Sequence, residues 1–509
     1  MSRTGNSLKN IKYAVIGQVL ALIISFITRM IFVQTLSSEY LGINGLFSNI
    51  LSMLSIAELG VGAAIVYSLY KPLSEQDVPK IKTLMSLYKK AYITIGMFIA
   101  ITGVIITPFL NFIIKDMPDI PYIEFIYVLF VLNSAMSYFF SYKRSLIIAD
   151  QKRYIATFYR YGFFLILNVV QIIILLITKN YLYYLILQLC FTFMENIAIS
   201  RKANTLYPYL REKDILPLDK ETKGTISRNI KAMMGHNVGG IVVNGTDSLL
   251  ISKFVGVVAV GLYSNYLLIT SALNTVFGIM FQAVTASVGN LGVTESGERS
   301  HFIFRCLNLI GFWIHGFAAI ALINLLNPFL KLWLGEEYLF SLGIVLVIVV
   351  NFYFTGMRKS VLTFRDALGL YWYDRYKPFF EAGINLLASI ILGKYFGIIG
   401  IFIGTIISTL STCFWVEPYM LFKYGFRKSV KPYFLKYITY TITVIVTGAV
   451  TWSACNLVDG DSISSFLLKL IICSVLTNLI FLCVFWRSDE FKYLLKVLKT
   501  HVKKKIKIN

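Results

Sequence analysis

The chain has 509 residues, of which 57% are apolar and only 15% are charged. Soluble globular proteins carry about 25% charged residues, so a water-soluble fold is excluded and an integral membrane protein is expected. The formal net charge of +22 would indicate a nucleic-acid partner in a soluble protein. In a membrane protein, an excess of Lys and Arg is first a signal of topology, and we expect no nucleic-acid partner.

Long apolar runs follow one another along the chain. A helix that crosses the hydrocarbon core needs about 20 mostly apolar residues, and this criterion predicts an all-α integral membrane protein with about 14 transmembrane helices. Their approximate ranges are 13–33, 43–69, 91–114, 122–142, 155–178, 180–200, 229–252, 256–288, 302–326, 338–357, 378–393, 398–422, 434–454 and 465–486. Two of the predicted turns, Lys179-Asn180 and Lys394-Tyr395, are very short.

The basic residues are distributed unevenly over the connecting segments. With the amino terminus in the cytoplasm and the spans alternating, the inner segments hold 40 Lys and Arg and the outer segments hold 6. Lys and Arg are retained on the cytoplasmic side of membrane proteins, and one missed span would invert every later segment. We therefore predict a multi-pass protein of the plasma membrane with both termini in the cytoplasm.

Signatures of enzymes are missing from the sequence. It contains no Walker-type or dinucleotide-binding glycine loop and no zinc-protease motif. The longest outer loops, roughly 327–338 and 455–464, are too short for an extracellular catalytic domain. We expect no enzymatic activity, no catalytic residues, no metal site and no cofactor, so any transport draws on gradients or on the membrane potential.

A weak internal repeat flanks the longest inner loop. Four pairs of matching positions share nearly constant offsets of 219 or 215 residues: Asn10-Ile11-Lys12 with Asn229-Ile230-Lys231, Gly42 with Gly261, Lys143-Arg144-Ser145 with Arg358-Lys359-Ser360, and Arg160-Tyr161 with Arg375-Tyr376. Both halves start inside and hold six spans, as parallel repeats about an axis normal to the membrane would. This predicts two six-helix lobes around a central cavity, plus two extra carboxy-terminal helices.

The repeat defines the predicted domain boundaries. They are an N-lobe at 1–204, a cytoplasmic inter-lobe loop at 205–228, a C-lobe at 229–424, two further spans at 425–486 and a basic amphipathic cytoplasmic tail at 487–509. In the tail, Lys492, Lys496, Lys499 and Lys503 share one helical face. Such a helix is expected to lie on the anionic inner leaflet.

Several motifs resemble one transporter family. The end of span 1 has the form S-F-x-x-R (Ser25 to Arg29), and L-S-x-E-Y-L-G-I-N-G-L-F follows from Leu36 to Phe47. The motif A-E-L-G-V-G (Ala57 to Gly62), Y-S-L-Y-K-P-L (Tyr67 to Leu73) and the glycine-rich hairpin from Gly393 to Ser408 extend the pattern. The chain resembles polysaccharide transporters, the Wzx-type flippases of the multidrug/oligosaccharidyl-lipid/polysaccharide superfamily, and within them the Gram-positive capsule type.

The resemblance is specific over roughly the first 115 residues and near 355–410. It implies a substrate, an undecaprenyl-diphosphate-linked oligosaccharide turned from the inner to the outer leaflet by alternating access. It also implies membrane lipids as partners, with polysaccharide polymerase and glycosyltransferases as further candidates. Three alternatives stay open: a multidrug cation antiporter of the same superfamily, a lipid II-type flippase, and a membrane polysaccharide polymerase, which would need a larger outer loop.

Ionisable groups inside spans are costly, so each one is a candidate functional residue. Arg29 lies about 24 Å along span 1, toward its outer end. An inward-facing guanidinium there could bind a diphosphate, or the side chain could extend to the outer headgroups. The repeat places Ser248 opposite Arg29, beside Asp247, which could pair with Arg29 or bind a coupling cation. Glu58 in span 2 could serve the substrate or an interhelical hydrogen bond.

Other polar residues within spans complete the candidate substrate-binding set. His236 could titrate near neutral pH, and Asn44, Asn49 and Asn265 could contact sugar hydroxyls. The predicted set therefore consists of Arg29, Asn44, Glu58, His236, Asp247 and Asn265. Four further charges near inner span ends, Arg160, Glu195, Glu381 and Glu417, are expected to be solvated or ion-paired.

Overall fold

The computed structural model describes residues 3–58, 60–212, 216–294 and 297–506. All regular elements in these ranges are helical, which confirms the predicted all-α fold class. The α-helices are α1 Arg3–Thr35, α2 Ser38–Leu54, α3 Val61–Glu75, α4 Val78–Ile106, α5 Leu110–Ile113, α6 Ile123–Tyr138, α7 Ser141–Ala149, α8 Arg153–Thr178, α9 Tyr181–Leu206, α10 Lys220–Phe254, α11 Val257–Thr294, α12 Gly297–Trp333, α13 Leu342–Met357, α14 Lys359–Ala367, α15 Lys377–Ser408, α16 Phe414–Met420, α17 Lys431–Cys455, α18 Ile463–Phe485 and α19 Asp489–Ile506.

The helices have the length and composition of membrane spans. Within the described residues, ten helical segments are long and apolar enough to cross a membrane, and the bent pair α6 and α7 forms an eleventh if it is one span. The protein is therefore a multi-pass membrane protein. All fourteen predicted segments fall on helical structure, in part broken, while their exact number stays a prediction.

The second predicted span, 43–69, is broken in the middle. After α2 ends at Leu54, a 3₁₀ turn covers Ser55–Glu58, and α3 begins at Val61. Gly60 has φ = 80°, a left-handed conformation that glycine adopts without steric cost. The continuous apolar run had predicted one unbroken helix, and the break places the carboxylate of Glu58 at the end of the 3₁₀ turn.

The apolar segment Lys377–Phe426 folds back on itself. Gly397 within α15 has φ = 58° and ψ = −133°, a conformation that only glycine readily adopts. After this break the chain runs antiparallel, since Ser389 Oγ donates to the Ile401 carbonyl at 3.0 Å and Asn385 Nδ2 donates to Thr405 Oγ1 at 3.0 Å. The stretch thus holds two packed helical arms, as the short turn at Lys394-Tyr395 predicts.

The chain divides into two compact units, Met1–Ser264 and Asn265–Asn509. In the first unit, α1 packs on α8, α4 on α6, and α10 on α2. An apolar core there joins residues of α3, α4, α7 and α9, with Leu69, Leu84 and Leu146 completely buried. In the second unit, α12 packs against α13, α17 and α18. The predicted lobe boundaries stay a prediction.

Within the first unit, α2 and the start of α11 approach each other through glycines. A Cβ added at Gly42 would lie 2.1 Å from the Val257 carbonyl oxygen, and one added at Gly261 would lie 2.8 Å from the Gly42 nitrogen. One turn later, a Cβ at Gly45 would lie 3.7 Å from Ser264 Cβ. Backbone atoms cannot move aside as a flexible side chain can, so this contact requires a residue without a side chain at Gly42.

The tail helix α19 is anchored to the second unit by its first turn. Glu490 is 1% exposed, and its Oε1 accepts from Arg305 Nε at 2.7 Å and from Lys436 Nζ. The ring of Phe491 stacks on Trp313, with centroids 5.7 Å apart. Burial alone would raise the pKa of Glu490, but the hydrogen bonds from Lys436 and Arg305 outweigh burial and hold this pKa below its ordinary value of 4.5.

Substitution of Gly42 tests the helix contact. We expect Gly42→Ala to destabilise the protein by about 1–3 kcal/mol, the cost of overpacking a tight site. Gly162→Ala is the matched control, because nothing lies within 4 Å of a Cβ at Gly162 and alanine is the better helix former. Thermal unfolding of the purified variants in detergent measures both, and equal midpoints for the two variants would contradict the contact.

The acid sensitivity of the tail anchor follows from the pKa of Glu490. Because this pKa is lowered in the folded protein, the carboxylate stabilises the anchor above pH 4.5 and loses that effect as the pH falls through the folded-state pKa. We expect a spin label at Leu498→Cys, in a background without other exposed cysteines, to be restrained at pH 7 and mobile in acid. Glu490→Gln should mobilise it already at pH 7, whereas the exposed neighbour change Asp489→Asn should not. A label equally mobile in all three proteins at pH 7 would refute the anchor.

Candidate functional site

A polar group inside the first unit surrounds Arg29. This residue lies near the end of α1, is half-buried, and donates from Nη1 to Ser264 Oγ at 3.0 Å. Ser264 in turn donates to the Gly261 carbonyl at 2.7 Å. Across the described residues, no carboxylate lies within ion-pair distance of the guanidinium. A cation in an apolar span that is held by neutral groups keeps its capacity to bind an anion.

Two tyrosines of α9 connect Arg29 to Asn44. Tyr181 and Tyr184 both lie near the guanidinium, and their rings stack with centroids 5.9 Å apart. Asn44 Nδ2 donates to the Tyr181 hydroxyl at 3.1 Å. The rings of Phe32 and Tyr40 also pack edge-on against Tyr181. The structure therefore brings two predicted site residues, Arg29 and Asn44, to the same aromatic pair.

A further polar contact of the first unit joins α2 to α10. Asn49 Nδ2 donates to Ser248 Oγ at 3.0 Å. Next to Ser248, the buried Asp247 interacts electrostatically with Tyr263, and its Oδ1 has no hydrogen-bond partner in the described part of the chain. The hypothetical ion pair between Arg29 and Asp247 does not form in this structure, because Arg29 is hydrogen-bonded to Ser264 instead.

Two predicted residues fall outside this polar group. Asn265 belongs to the second unit, is completely buried, and neither of its amide atoms has a hydrogen-bond partner among the described residues. His236 lies within α10, but its side chain lies outside the described part of the structure. Both residues stay predictions as substrate contacts.

Glu58 belongs to a different cluster of the first unit. Its Oε1 accepts from the Tyr92 hydroxyl, and Oε2 accepts from the Tyr138 hydroxyl at 3.4 Å. Tyr88 donates to Ser145 Oγ at 3.0 Å and contacts Tyr92 with ring centroids 4.6 Å apart. These tyrosines line the apolar core of α3, α4 and α7. In this structure, Glu58 therefore makes hydrogen bonds between helices, which is one of the two roles considered for it from the sequence.

The carboxylates expected near inner span ends are ion-paired. Glu195 lies 2.5 Å from Arg144, and Glu417 binds both Arg358 at 2.7 Å and Lys377 at 2.5 Å. Glu381 lies 3.3 Å from Lys377 and 3.5 Å from Arg358. In the second unit, Glu381 and Glu417 thus neutralise Arg358 and Lys377. This buried cluster therefore has no net charge with which to bind a charged ligand.

Sequence reasoning missed Tyr181, Tyr184 and Ser264 as members of the polar group. The two tyrosines follow directly after the predicted turn at Lys179-Asn180. This position places them at the same membrane depth as the end of span 1, and it is the sequence feature that could have indicated their proximity to Arg29. Ser264 carried no such signal. A serine in an apolar run is ordinary, and only the three-dimensional contact with Arg29 distinguishes it.

Comparisons with known proteins agree with this architecture. No family model matches the chain, and no curated protein matches it. Among solved structures, it is similar to "Lipid II flippase MurJ, inward closed conformation", with a TM-score of 0.62 and 16% identity over 94% of this chain and 99% of that one.

Two further structures come from the multidrug/oligosaccharidyl-lipid/polysaccharide (MOP) superfamily. An inward-facing multidrug resistance MATE transporter has a TM-score of 0.60 at 14% identity, covering 79% of this chain and 94% of that one. A Pyrococcus furiosus transporter whose binding pocket is described as having reverse polarity has a TM-score of 0.51 at 12% identity, covering 82% and 96%. At these identities the likeness establishes the fold: the chain has the fold of MOP-superfamily membrane transporters.

Proposed function

We propose that this protein is a flippase that moves an undecaprenyl-diphosphate-linked oligosaccharide repeat unit from the inner to the outer leaflet of the plasma membrane. The observation that carries this proposal is Arg29, a half-buried guanidinium of a membrane span with only neutral partners among the described residues. The planar fork of Arg suits phosphate oxygens and can bind them bidentately. A diphosphate is the anionic group of such a substrate.

Polar side chains of the first unit could bind the sugar part of this substrate. Asn44 and Tyr181 already exchange a hydrogen bond, and Asn49 binds Ser248. Amide and hydroxyl groups can exchange such mutual hydrogen bonds for bonds to sugar hydroxyls at little net cost. The polyprenyl tail would stay in lipid while the two predicted lobes alternate between inward and outward access.

The membrane potential would favour export of the diphosphate. Moving one charge through 100 mV is worth about 2.3 kcal/mol, so expelling a dianion from a negative interior gains about 4.6 kcal/mol on the same basis. Transport would then need no bound nucleotide and no dedicated proton site. By the motif resemblance, the exported units would serve capsule or exopolysaccharide synthesis, alongside glycosyltransferases and a polymerase.

A second candidate, a multidrug cation antiporter, is favoured by one observation. The buried Asp247 keeps Oδ1 without a hydrogen-bond partner among the described residues, and an incompletely bonded buried carboxylate could bind an organic cation. Arg29 disfavours this function, because its guanidinium lies in the same unit and would repel a cationic substrate.

Substitutions of Arg29 test the proposal in proteoliposomes. We expect Arg29→Ala to reduce translocation of a lipid-linked oligosaccharide by about 10- to 100-fold, the loss of one or two charge-assisted hydrogen bonds. Arg29→Lys should retain part of the activity because it keeps the charge but loses the fork. Exposure of the sugar to an outer glycosidase measures translocation under an imposed inside-negative potential.

The matched control is Arg160→Ala, which removes an exposed arginine of the predicted span 155–178. We expect this variant to transport at the rate of the unmodified protein. Undiminished transport by Arg29→Ala at equal protein levels would overturn the site. Lipid II tested in the same vesicles separates the two flippase functions, and efflux of an organic cation that depends on Asp247 would favour the antiporter instead.

A further inference from the structure

A basic cavity lies within the first unit, and Arg29 is not among its lining residues. It opens where α4, α7 and the end of α9 meet the 3₁₀ turn Pro208–Arg211. Its empty volume is about 1120 Å³, including the part open to solvent. The charged residues in its lining are Lys82, Lys89, Lys143, Arg211 and Glu212. The charge asymmetry of the sequence places this end of the helices on the cytoplasmic side.

The positive charges of this cavity exceed its negative charges. Glu212 pairs with Lys82 at 2.9 Å, which leaves three cations uncompensated among the described lining residues. Lys89 and Arg211 are exposed, and neither has a carboxylate within ion-pair distance in the described ranges. Four cations and one carboxylate give the described lining a net charge of +3.

The third uncompensated cation, Lys143, is held in place by neutral atoms. Its Nζ donates to Ser200 Oγ at 2.9 Å and to Asn204 Oδ1 at 2.9 Å. Both partners belong to α9, so Lys143 fixes α7 to α9 and its ammonium has a defined position beside the cavity. These partners orient the charge without neutralising it, and the mutual repulsion of Lys143, Lys89 and Arg211 persists until an anion enters.

The composition of the cavity determines the class of anion. A carboxylate ligand with one charge would leave two cations uncompensated. A phosphate monoester or a diphosphate carries two or more charges and several acceptor oxygens, which match the fork of Arg211 and the point charges of the two lysines. The Tyr142 ring and the Met85 side chain add an apolar wall, against which the non-phosphate part of a ligand could pack.

We propose that this cavity is a phosphate-binding site, which takes the phosphate group of an inner-leaflet lipid or of a soluble phosphate compound. The site is separate from the Arg29 group, and the proposal does not depend on the proposed flippase activity. In this proposal, Lys89, Lys143 and Arg211 together bind a multivalent oxyanion at the cytoplasmic end of the first unit.

Binding to the purified full-length protein tests the site with two probes. Inorganic pyrophosphate, titrated by calorimetry in non-ionic detergent, represents soluble phosphate compounds. Phosphatidic acid, whose headgroup is a phosphate monoester, represents an inner-leaflet lipid and is compared with phosphatidylcholine by native mass spectrometry. We expect saturable binding of at least one probe that weakens as salt is added, because ions screen exposed charges. Pyrophosphate binding identifies a soluble ligand, and selective retention of phosphatidic acid identifies a lipid.

Paired variants assign the binding to this cavity. The double variant Lys89→Gln with Arg211→Gln removes two exposed cations of the lining and should weaken binding by about tenfold or more. The control, Lys90→Gln with Arg201→Gln, removes one exposed lysine and one exposed arginine that do not line the cavity. We expect the control to bind as the unmodified protein does. Absence of binding by both probes, or equal binding by the two double variants, would overturn the proposal.

Discussion

The free-energy cost of placing a guanidinium in an apolar helix constrains how Arg29 is held in the first unit. A charged side chain within a membrane span is costly, and an ion pair would offset part of this cost. Arg29 is held instead by Ser264 and lies beside Tyr181 and Tyr184. Neutral groups stabilise the guanidinium without neutralising its positive charge, so this charge can still bind an anionic ligand. The ion-paired Glu417 cluster is the contrasting case.

The contact between α2 and α11 joins positions that the predicted repeat makes equivalent, while the repeat itself stays a prediction. Gly42 approaches Gly261, and Gly45 approaches Ser264, and both pairs have the offset of 219 residues found in the sequence. A twofold relation between repeats brings equivalent residues together along its axis. By the same offset, Arg29 corresponds to Ser248, and these two residues bind Ser264 on α11 and Asn49 on α2.

Hydropathy and charge predicted the all-helical membrane fold, because the length of an apolar run is a local property. The short turn at Lys394-Tyr395 was located within a few residues of the break at Gly397. The break at Gly60 was not predicted, since the apolar run continues on both sides of it and glycine is common in membrane helices. Partners such as Ser264 for Arg29 and Tyr92 for Glu58 depend on packing between distant segments, which no local pattern encodes.

The accessibility of position 29 to water tests whether the Arg29 side chain faces an aqueous site rather than lipid. In a background without exposed native cysteines, Arg29→Cys should react with a hydrophilic, negatively charged thiol reagent, and the lipid-linked oligosaccharide should protect it. Ile27→Cys is the internal comparison, because Ile27 on the same helix is 41% exposed in an apolar span and should face lipid, where such a reagent does not enter. Reaction at position 29 alone is the predicted result. Reaction at position 27 but not at position 29 would contradict the account.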